Sequence, residues 1–392
     1  MKDRSSDGKR TKRPVVGIDV TSALSQRAGI GRYTRELVSA LIRFDKASEF
    51  VLFSARQPSW DSLSSRIPKD AHVRYTQSFL TERWLYRIWY RLRIPIPVQS
   101  FTGDIDLFYS PDFVLPPVRD GVPTILTVHD LSFIHYPETF TSSLRNYLNQ
   151  VVPRSVRRAT HVLADSQSTK DDLHSIWQIE EEKISVLYSG VDGPFRPPSD
   201  KSKRSDVRER YGLSDEPYIF SVSTIQPRKN YQMLIRAFKG VVDDFPHRLV
   251  IAGEKGWLYE ETFNEVTRQG LEEKVTFLGF VEDEDLPALY SEATLFVFPS
   301  LYEGFGFPIL EAMACGVPVL VSSASCLPEI AGEAAVVLPP QHEEAWTATI
   351  RDLLDDPNRR AQIVASGFLR VRQFGWKSAA EQLSELLQTL LP

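Results

Sequence analysis

Short apolar runs, rich in β-branched and aromatic residues, recur along the chain. They alternate with longer stretches whose apolar positions repeat at helical spacing. In the first half the runs fall at residues 15–20 (VVGIDV), 50–54, 72–76, 105–110, 124–128, 161–164 and 184–188. In the second half they lie within PYIFSVST, HRLVIAG, KVTFLGF, TLFVFPS, PVLVSS and AAVVLPP. Unbroken apolar runs of this length suit strands buried on both faces of a parallel sheet. Between them, Leu37, Leu41 and Phe44 predict one face of an early helix. Leu85, Ile88, Trp89 and Leu92 predict another face within residues 79–93, with Arg83, Arg87 and Arg91 on a second face. A helix over 144–159 is expected to break at Pro153. Leu383, Leu386, Leu387 and Leu390 share a face of a last helix. Strands alternating with helices predict an α/β chain of two Rossmann-like, doubly wound parallel-sheet domains with a cleft between them.

The boundaries follow from where the pattern lapses. Residues 1–13 are charged, have no apolar stretch behind them, and read as a disordered tail rather than a signal peptide. Residues 14–193 form the first domain. Residues 194–208 are rich in proline, serine and charge, lack apolar periodicity, and read as a linker. Residues 209–375 form the second domain, and 376–392 the last helix. A length of 392 residues fits this division. A net charge of −5 makes nucleic acid an unexpected partner. Two cysteines, Cys315 and Cys326, build neither a disulfide framework nor a metal site, and point to a reducing, cytoplasmic compartment. No apolar run approaches the ~20 residues of a membrane span. The aromatic, arginine-bearing stretch 79–93 fits a core helix better, and also fits contact with an anionic membrane surface.

Chemistry concentrates where strands end. Residues 294–299 form a buried strand, 300–307 a loop with Gly304 and Gly306, and Pro308 opens a helix with Ile309, Leu310, Met313 and Ala314 inward. Gly316 and Pro318 end it. Such a junction suits an anion or a polyol, because first-turn N–H groups point outward and glycines allow close approach. Glu303 in the loop and Glu311 in the first helical turn are carboxylates that can accept from sugar hydroxyls. Earlier, Gly29 and Gly31 form a glycine loop after the first strand. His129 and Asp130 end the strand at 124–128. In ADSQSTKDDL, Ser168 or Thr169 is placed to cap the following helix. Arg228 and Lys229 are adjacent cations just beyond the first strand of the second half. Gly253 ends a strand where a ligand can approach closely. Glu282 to Asp285 are explained by a helix N-terminus that favours carboxylates, and no metal site is expected there.

The spacing from Glu303 to Glu311 resembles the E-x7-E motif of retaining glycosyltransferases with the GT-B fold. EGFGFPILEAMACGVPV is similar to the form found in family 4. GIGRYTREL and PRKN resemble the family's mannosyltransferase-like members, and SGVD with Phe195 and Pro197 resembles its G-V-D-x-x-x-F-x-P turn. Thr224 stands where the family pattern has an arginine.

The resemblance covers nearly all of the chain and implies a set of roles. Glu303, with the backbone of Gly304, Phe305, Gly306 and Phe307, would hold the donor sugar. Glu311 would hold ribose hydroxyls. Arg228 and Lys229 would stabilise the leaving diphosphate, and His129 would contact the transferring sugar. The backbone at Gly279, Phe280 and Val281 would read the base. Gly29 and Gly31 would lie over the donor phosphates near the acceptor. The last helix would return to the first domain or stay on the second.

The implied reaction moves mannose from GDP-mannose to a glycan or lipid-linked oligosaccharide in polysaccharide biosynthesis, with no cofactor. It would take place in the cytoplasm or peripherally on the cytoplasmic membrane face. The alternatives are a UDP- or ADP-sugar transferase, a sugar-nucleotide epimerase, a phosphorylase, or a non-catalytic nucleotide-sugar-binding protein.

Overall fold

The structure is a computed structural model. It describes residues 13–391 except Ala28, Pro58, Asp192, 198–200 and Ser214, and gives only the backbone of 201–204. The expected disordered tail therefore lies, but for Arg13, outside the described residues, as does Asp192 of the SGVD turn.

Thirteen strands are described. In the first half they are β1 Val15–Asp19, β2 Glu49–Ser54, β3 Val73–Gln77, β4 Leu107–Ser110, β5 Thr124–Val128, β6 His161–Ala164 and β7 Ile184–Val186. In the second half they are β8 Tyr218–Val222, β9 Arg248–Ala252, β10 Val275–Gly279, β11 Leu295–Phe298, β12 Val319–Ser322 and β13 Val336–Leu338. They form a seven-stranded sheet ordered β3-β2-β1-β4-β5-β6-β7 and a six-stranded sheet ordered β10-β9-β8-β11-β12-β13. The paired registers run parallel. Both expected doubly wound sheets are present. Strand order reverses between β1 and β4 in the first sheet and between β8 and β11 in the second. Chains leaving the carboxyl ends of such neighbours diverge and open a crevice there.

The second sheet shows why its strands read as continuous apolar runs. Phe220, Phe296 and Val319 join one buried cluster, while their neighbours Ile219, Val297 and Leu320 join another. Successive side chains point to opposite faces, and helices cover both. The chain divides into two compact units. One comprises residues up to Leu126, Arg158–His161 and the chain from Ala380; the other comprises Thr127–Arg157 and Val162–Ala379.

Four expectations are corrected. The stretch 194–208 is not wholly a linker, because a helix occupies Lys201–Arg210. It lacks an apolar stripe, so periodicity missed it, and it is held by a few anchors. Val207 is buried, Arg208 lies over the Tyr218 ring at 5.4 Å, and Arg210 reaches both Asp285 oxygens at 2.7 Å. Asp285 thus serves an ion pair rather than only a helix start. The helix Ser142–Arg158 runs through Pro153. The carbonyl that Pro153 leaves unbonded, four residues back at Asn149, belongs to an exposed residue that water can serve. Phe44 is 42% exposed, although Leu37 and Leu41 are buried. Finally, residues 79–93 divide into a helix Glu82–Tyr86 and a π-turn Arg87–Arg91. The wider turn rotates the register. Leu85 and Trp89 are buried, but Leu92 is 64% exposed.

The last helix, Trp376–Leu390, buries Leu383 and Leu387. Ser384 Oγ lies 3.4 Å from Asp45 Oδ2, and Gln388 Nε2 lies 3.5 Å from Ser48 Oγ. Among the described residues no helix is long and apolar enough to cross a membrane.

Candidate active site

β8 and β11 are neighbours at the reversal of the second sheet, so the loops that follow them emerge side by side. The first is TIQPRKN and the second is SLYEGFG. Their charged residues meet. Lys229 Nζ lies 2.5 Å from Glu303 Oε1, and Arg228 lies 3.0 Å from Glu303 Oε2. All three side chains are about nine-tenths buried. Lys229 also sits 5.6 Å from the Phe298 ring. Arg228 donates to the Tyr302 carbonyl as well.

Burial alone would raise the Glu303 carboxyl, but the Arg228 and Lys229 charges outweigh it and hold the group down at about 2. Burial pulls Lys229 below its ordinary value, with Glu303 opposing. Arg228 Nε and Gln226 Oε1 are buried and have no hydrogen-bond partner. Buried polar groups are normally satisfied. An anionic ligand arriving here would find two cations and an unsatisfied guanidinium N–H already in place.

The loop after β11 is braced from behind. Glu303 N donates to Ser325 Oγ at 2.8 Å, and Ser325 Oγ lies 2.9 Å from the Glu303 carbonyl. Cys326 Sγ reaches the carbonyls of Glu303 and Phe305 at 3.1 and 3.3 Å. The two loop glycines have different causes from the one expected. A Cβ on Gly304 would lie 1.9 Å from the His129 carbonyl oxygen, so this glycine makes room for backbone. Gly306 sits at φ +98°, just before the helix Phe307–Ala314, a conformation that favours glycine. Phe305 is buried in the core, edge-on to Phe307 at 5.2 Å.

The other expected residues are placed as follows. Glu311 is in the second helical turn, not the first, because the helix begins at Phe307. It is 2% exposed and accepts from Tyr290 OH at 2.8 Å. Gly253, too, is a packing glycine, since a Cβ there would meet the Ser223 carbonyl at 1.9 Å. Gly279, at φ +68°, faces open space and fits close approach of a ligand. Phe280 is partly buried and Val281 buried. In the other unit, Gly29 is at φ +47° with open space beside it, whereas a Cβ on Gly31 would meet the Gln26 carbonyl at 2.1 Å. The helix after β6 is capped by Ser166, whose side chain accepts from Thr169 N, and not by Ser168 or Thr169.

His129 follows β5 and is 7% exposed. Its Nδ1 lies 2.7 Å from Asp165 Oδ2, and its carbonyl accepts from Thr169 Oγ1 at 3.3 Å. Sequence reasoning missed Asp165; its place directly after a strand next to β5 was the available signal. It also missed Tyr302, whose hydroxyl donates to Asp172 and whose ring stacks on His135 at 5.0 Å. His135 Nε2 lies 2.9 Å from Asp172 Oδ2. Arg35, buried in the first unit, donates to the carbonyls of Ala23, Gln26 and Arg27 and holds the approach to Gly29.

The family model described as glycosyl transferases group 1 matches residues 203–370, and the one described as glycosyltransferase family 4 matches residues 27–193. The chain is 30% identical over 365 residues to O-antigen chain mannosyltransferase B of Escherichia coli, covering 90% of this chain and 94% of that protein. It is 35% identical over 216 residues to the GDP-mannose-dependent alpha-(1-6)-phosphatidylinositol monomannoside mannosyltransferase of Mycolicibacterium smegmatis, covering 52% and 56% of the two chains. Among solved structures, sucrose-phosphate synthase from Thermosynechococcus elongatus superposes with a TM-score of 0.74 at 20% identity, over 96% of this chain and 99% of that one.

Proposed function

We propose, for a chain that belongs to the family 4 glycosyltransferases, that the sugar it transfers is mannose and the donor GDP-mannose. The reaction class comes with the family: a hexosyl group passes from a nucleotide sugar to a glycan acceptor in polysaccharide biosynthesis. The choice of mannose is supported by the names of the Escherichia coli and mycobacterial relatives, and the choice of GDP by the latter.

The observation that carries the assignment of roles is the buried cluster Arg228–Glu303–Lys229. Lys229 and Arg228 receive the charge of the departing diphosphate, in a site dry enough for that attraction to count. Glu303 accepts from sugar hydroxyls and Glu311 from those of the ribose. His129 addresses the sugar from the end of β5. The segment Gly279 to Val281 reads the base by backbone, and Gly29 and Gly31 serve the phosphates and the acceptor. The sugar C1–O bond to the β-phosphate breaks and the acceptor oxygen bonds to C1 on the same face. The acceptor proton passes to the leaving phosphate oxygen. No metal or cofactor is required.

The acceptor reading extends to membranes. Phe79, Trp84, Leu92, Ile94 and Ile96 are exposed, with Arg83, Arg91 and Arg93 exposed among them and Arg87 over the Trp84 ring at 4.9 Å. Apolar side chains interleaved with arginines suit an anionic bilayer surface, so we infer a cytoplasmic enzyme that touches the membrane face and takes a lipid-linked glycan. Sedimentation with anionic and zwitterionic vesicles tests this. Equal recovery with both, or none with either, removes the membrane contact.

The donor is tested by thermal shift with GDP, UDP and ADP and their common sugars, followed by transfer assays with the best binder. Ligand that binds only the folded state raises the melting temperature. A shift specific to GDP and larger with GDP-mannose is expected, whereas a preference for UDP- or ADP-sugars discards mannose. Product formed without acceptor, or turnover that needs phosphate, would move the assignment to an epimerase or a phosphorylase. Lys229→Ala should depress turnover with the fold intact; near-normal turnover removes Lys229 from the diphosphate role.

A further inference from the structure

One buried carboxylate near the site serves neither the charge cluster nor a helix cap. Asp165 directly follows β6, and His129 directly follows β5, its neighbour in the sheet. The ends of these strands set the two side chains together. His129 Nδ1 is 2.7 Å from Asp165 Oδ2, and the side chains are only 9% and 5% exposed. The other carboxylate oxygen, Asp165 Oδ1, is buried and has no hydrogen-bond partner. Burial pushes the Asp165 carboxyl up and the neighbouring His129 pulls it back. A carboxylate with one oxygen unsatisfied is an expensive way to fill a space, since an apolar residue of that size would fill it more cheaply. What the carboxylate adds is its grip on the imidazole.

The backbone of His129 is already fixed. Its carbonyl accepts from Thr169 and abuts Gly304, which carries no Cβ. Asp165 bears on the rotation and tautomer of the ring. We propose that Asp165 is a positioning residue for the transfer reaction. It holds the imidazole of His129 with the proton on Nδ1, so that any hydrogen bond from the ring to the sugar is made by Nε2. This rests on the assignment of His129 to the sugar. With Nδ1 protonated, a neutral ring accepts a sugar hydroxyl's hydrogen at Nε2. If the ring gains a second proton, Nε2 donates and Asp165 is its counter-ion. Asp130 is the other carboxylate whose charge reaches Asp165, and it pushes the Asp165 carboxyl up.

The test uses the full chain and separates ring from rate. Nitrogen-15 histidine spectra of the ligand-free protein, with His129→Gln to identify its signal among seven histidines, should show Nδ1 protonated in the wild type. In Asp165→Asn the amide can donate, and the proton should move to Nε2. Turnover of Asp165→Asn should fall about tenfold to a hundredfold, as when a group that orients an imidazole is lost. Donor KM and the thermal shift given by GDP should change less than about twofold, as expected for a residue that does not touch the donor. A wild-type ring protonated on Nε2 alone overturns the proposal, whether or not the variant folds. So does turnover of Asp165→Asn within about twofold of wild type while His129→Gln is inactive. Full turnover in His129→Gln instead sinks the assignment of His129 itself, and the proposal with it.

Discussion

Replacing Glu303 by glutamine removes the one carboxylate between two buried cations. The size of the effect can be worked from the Glu303 group. Its carboxyl is held at about 2 against an ordinary 4.5. A depression of that size corresponds to about 3 kcal/mol of preference for the charged form in the folded state. The sign follows from its direction. The stabilisation is fully present above the unfolded value near 4.5, and is lost as pH falls from there through about 2. At neutral pH, Glu303→Gln forfeits this preference, about 3 kcal/mol, and leaves Asp130 as the remaining acid whose charge reaches Arg228 and Lys229. For a unit of this size the melting temperature should drop by about 6–12 °C.

The assay is thermal or urea unfolding of wild type and variant in parallel from about pH 7.5 down to about pH 3, without ligand. The gap between them should be wide at the upper end and should narrow below about pH 4.5. A loss under about 1 kcal/mol at about pH 7.5, or a gap independent of pH, would refute the reasoning. Either result would mean that solvent screens this cluster far more than its burial implies.

Three further outcomes are expected. Gly304→Ala must push the loop after β11 off the His129 carbonyl and should lower turnover by about a hundredfold, since displacements near 1 Å can cost that much; Gly279→Ala, in open space at positive φ, should cost only about 1 kcal/mol of stability. Unfolding and steady-state rates of the two variants check this, and near-normal turnover of Gly304→Ala would contradict it. Burial raises the Asp19 carboxyl to about 6 from 3.8, with Thr21 opposing and Asp112 and Glu82 adding to the rise. The folded state therefore loses stability as pH rises from about 4 to about 6, and Asp19→Asn should gain about 1.5–3 kcal/mol at pH 7.5, the lower figure allowing for partial exposure, but nothing at pH 4. Glu329 accepts from Gln167 N at 2.8 Å and Ser168 N at 3.3 Å, at the start of the helix Gln167–Trp177, and from Tyr188 OH at 2.6 Å; Glu329→Ala should lose about 1–2 kcal/mol in urea unfolding.

What could be read from the sequence was whatever leaves a periodic trace. Strands such as Leu295–Phe298 are buried on both faces and so are apolar without interruption. The helix Lys201–Arg210 left no such trace, because ion pairs and a single valine hold it. The exposure of Leu92 was hidden for another reason, since a π-turn changes the count of residues per turn without any marker residue. Length and spacing therefore gave two sheets, while elements stabilised by a few long-range partners had to be seen.

The same distinction runs through the site. Glu303, Arg228 and Lys229 were legible because strand ends deliver them and their charges announce a task. Their arrangement was not. Only the strand order, with β8 beside β11, explains why residues some seventy positions apart form one cluster. The glycines carry a second cause that the chain pattern did not show. A glycine next to charged residues suggests space for a ligand, yet at 304 and 253 the missing Cβ makes room for another stretch of backbone. The carbonyl that Gly304 accommodates belongs to His129, and the ring of His129 is held by Asp165. A substitution at 304 is thus felt at the histidine before any ligand arrives. The loop after β11, the end of β5 and the end of β6 are joined through His129, so Gly304→Ala is expected to change how the His129 ring is held as well as the rate.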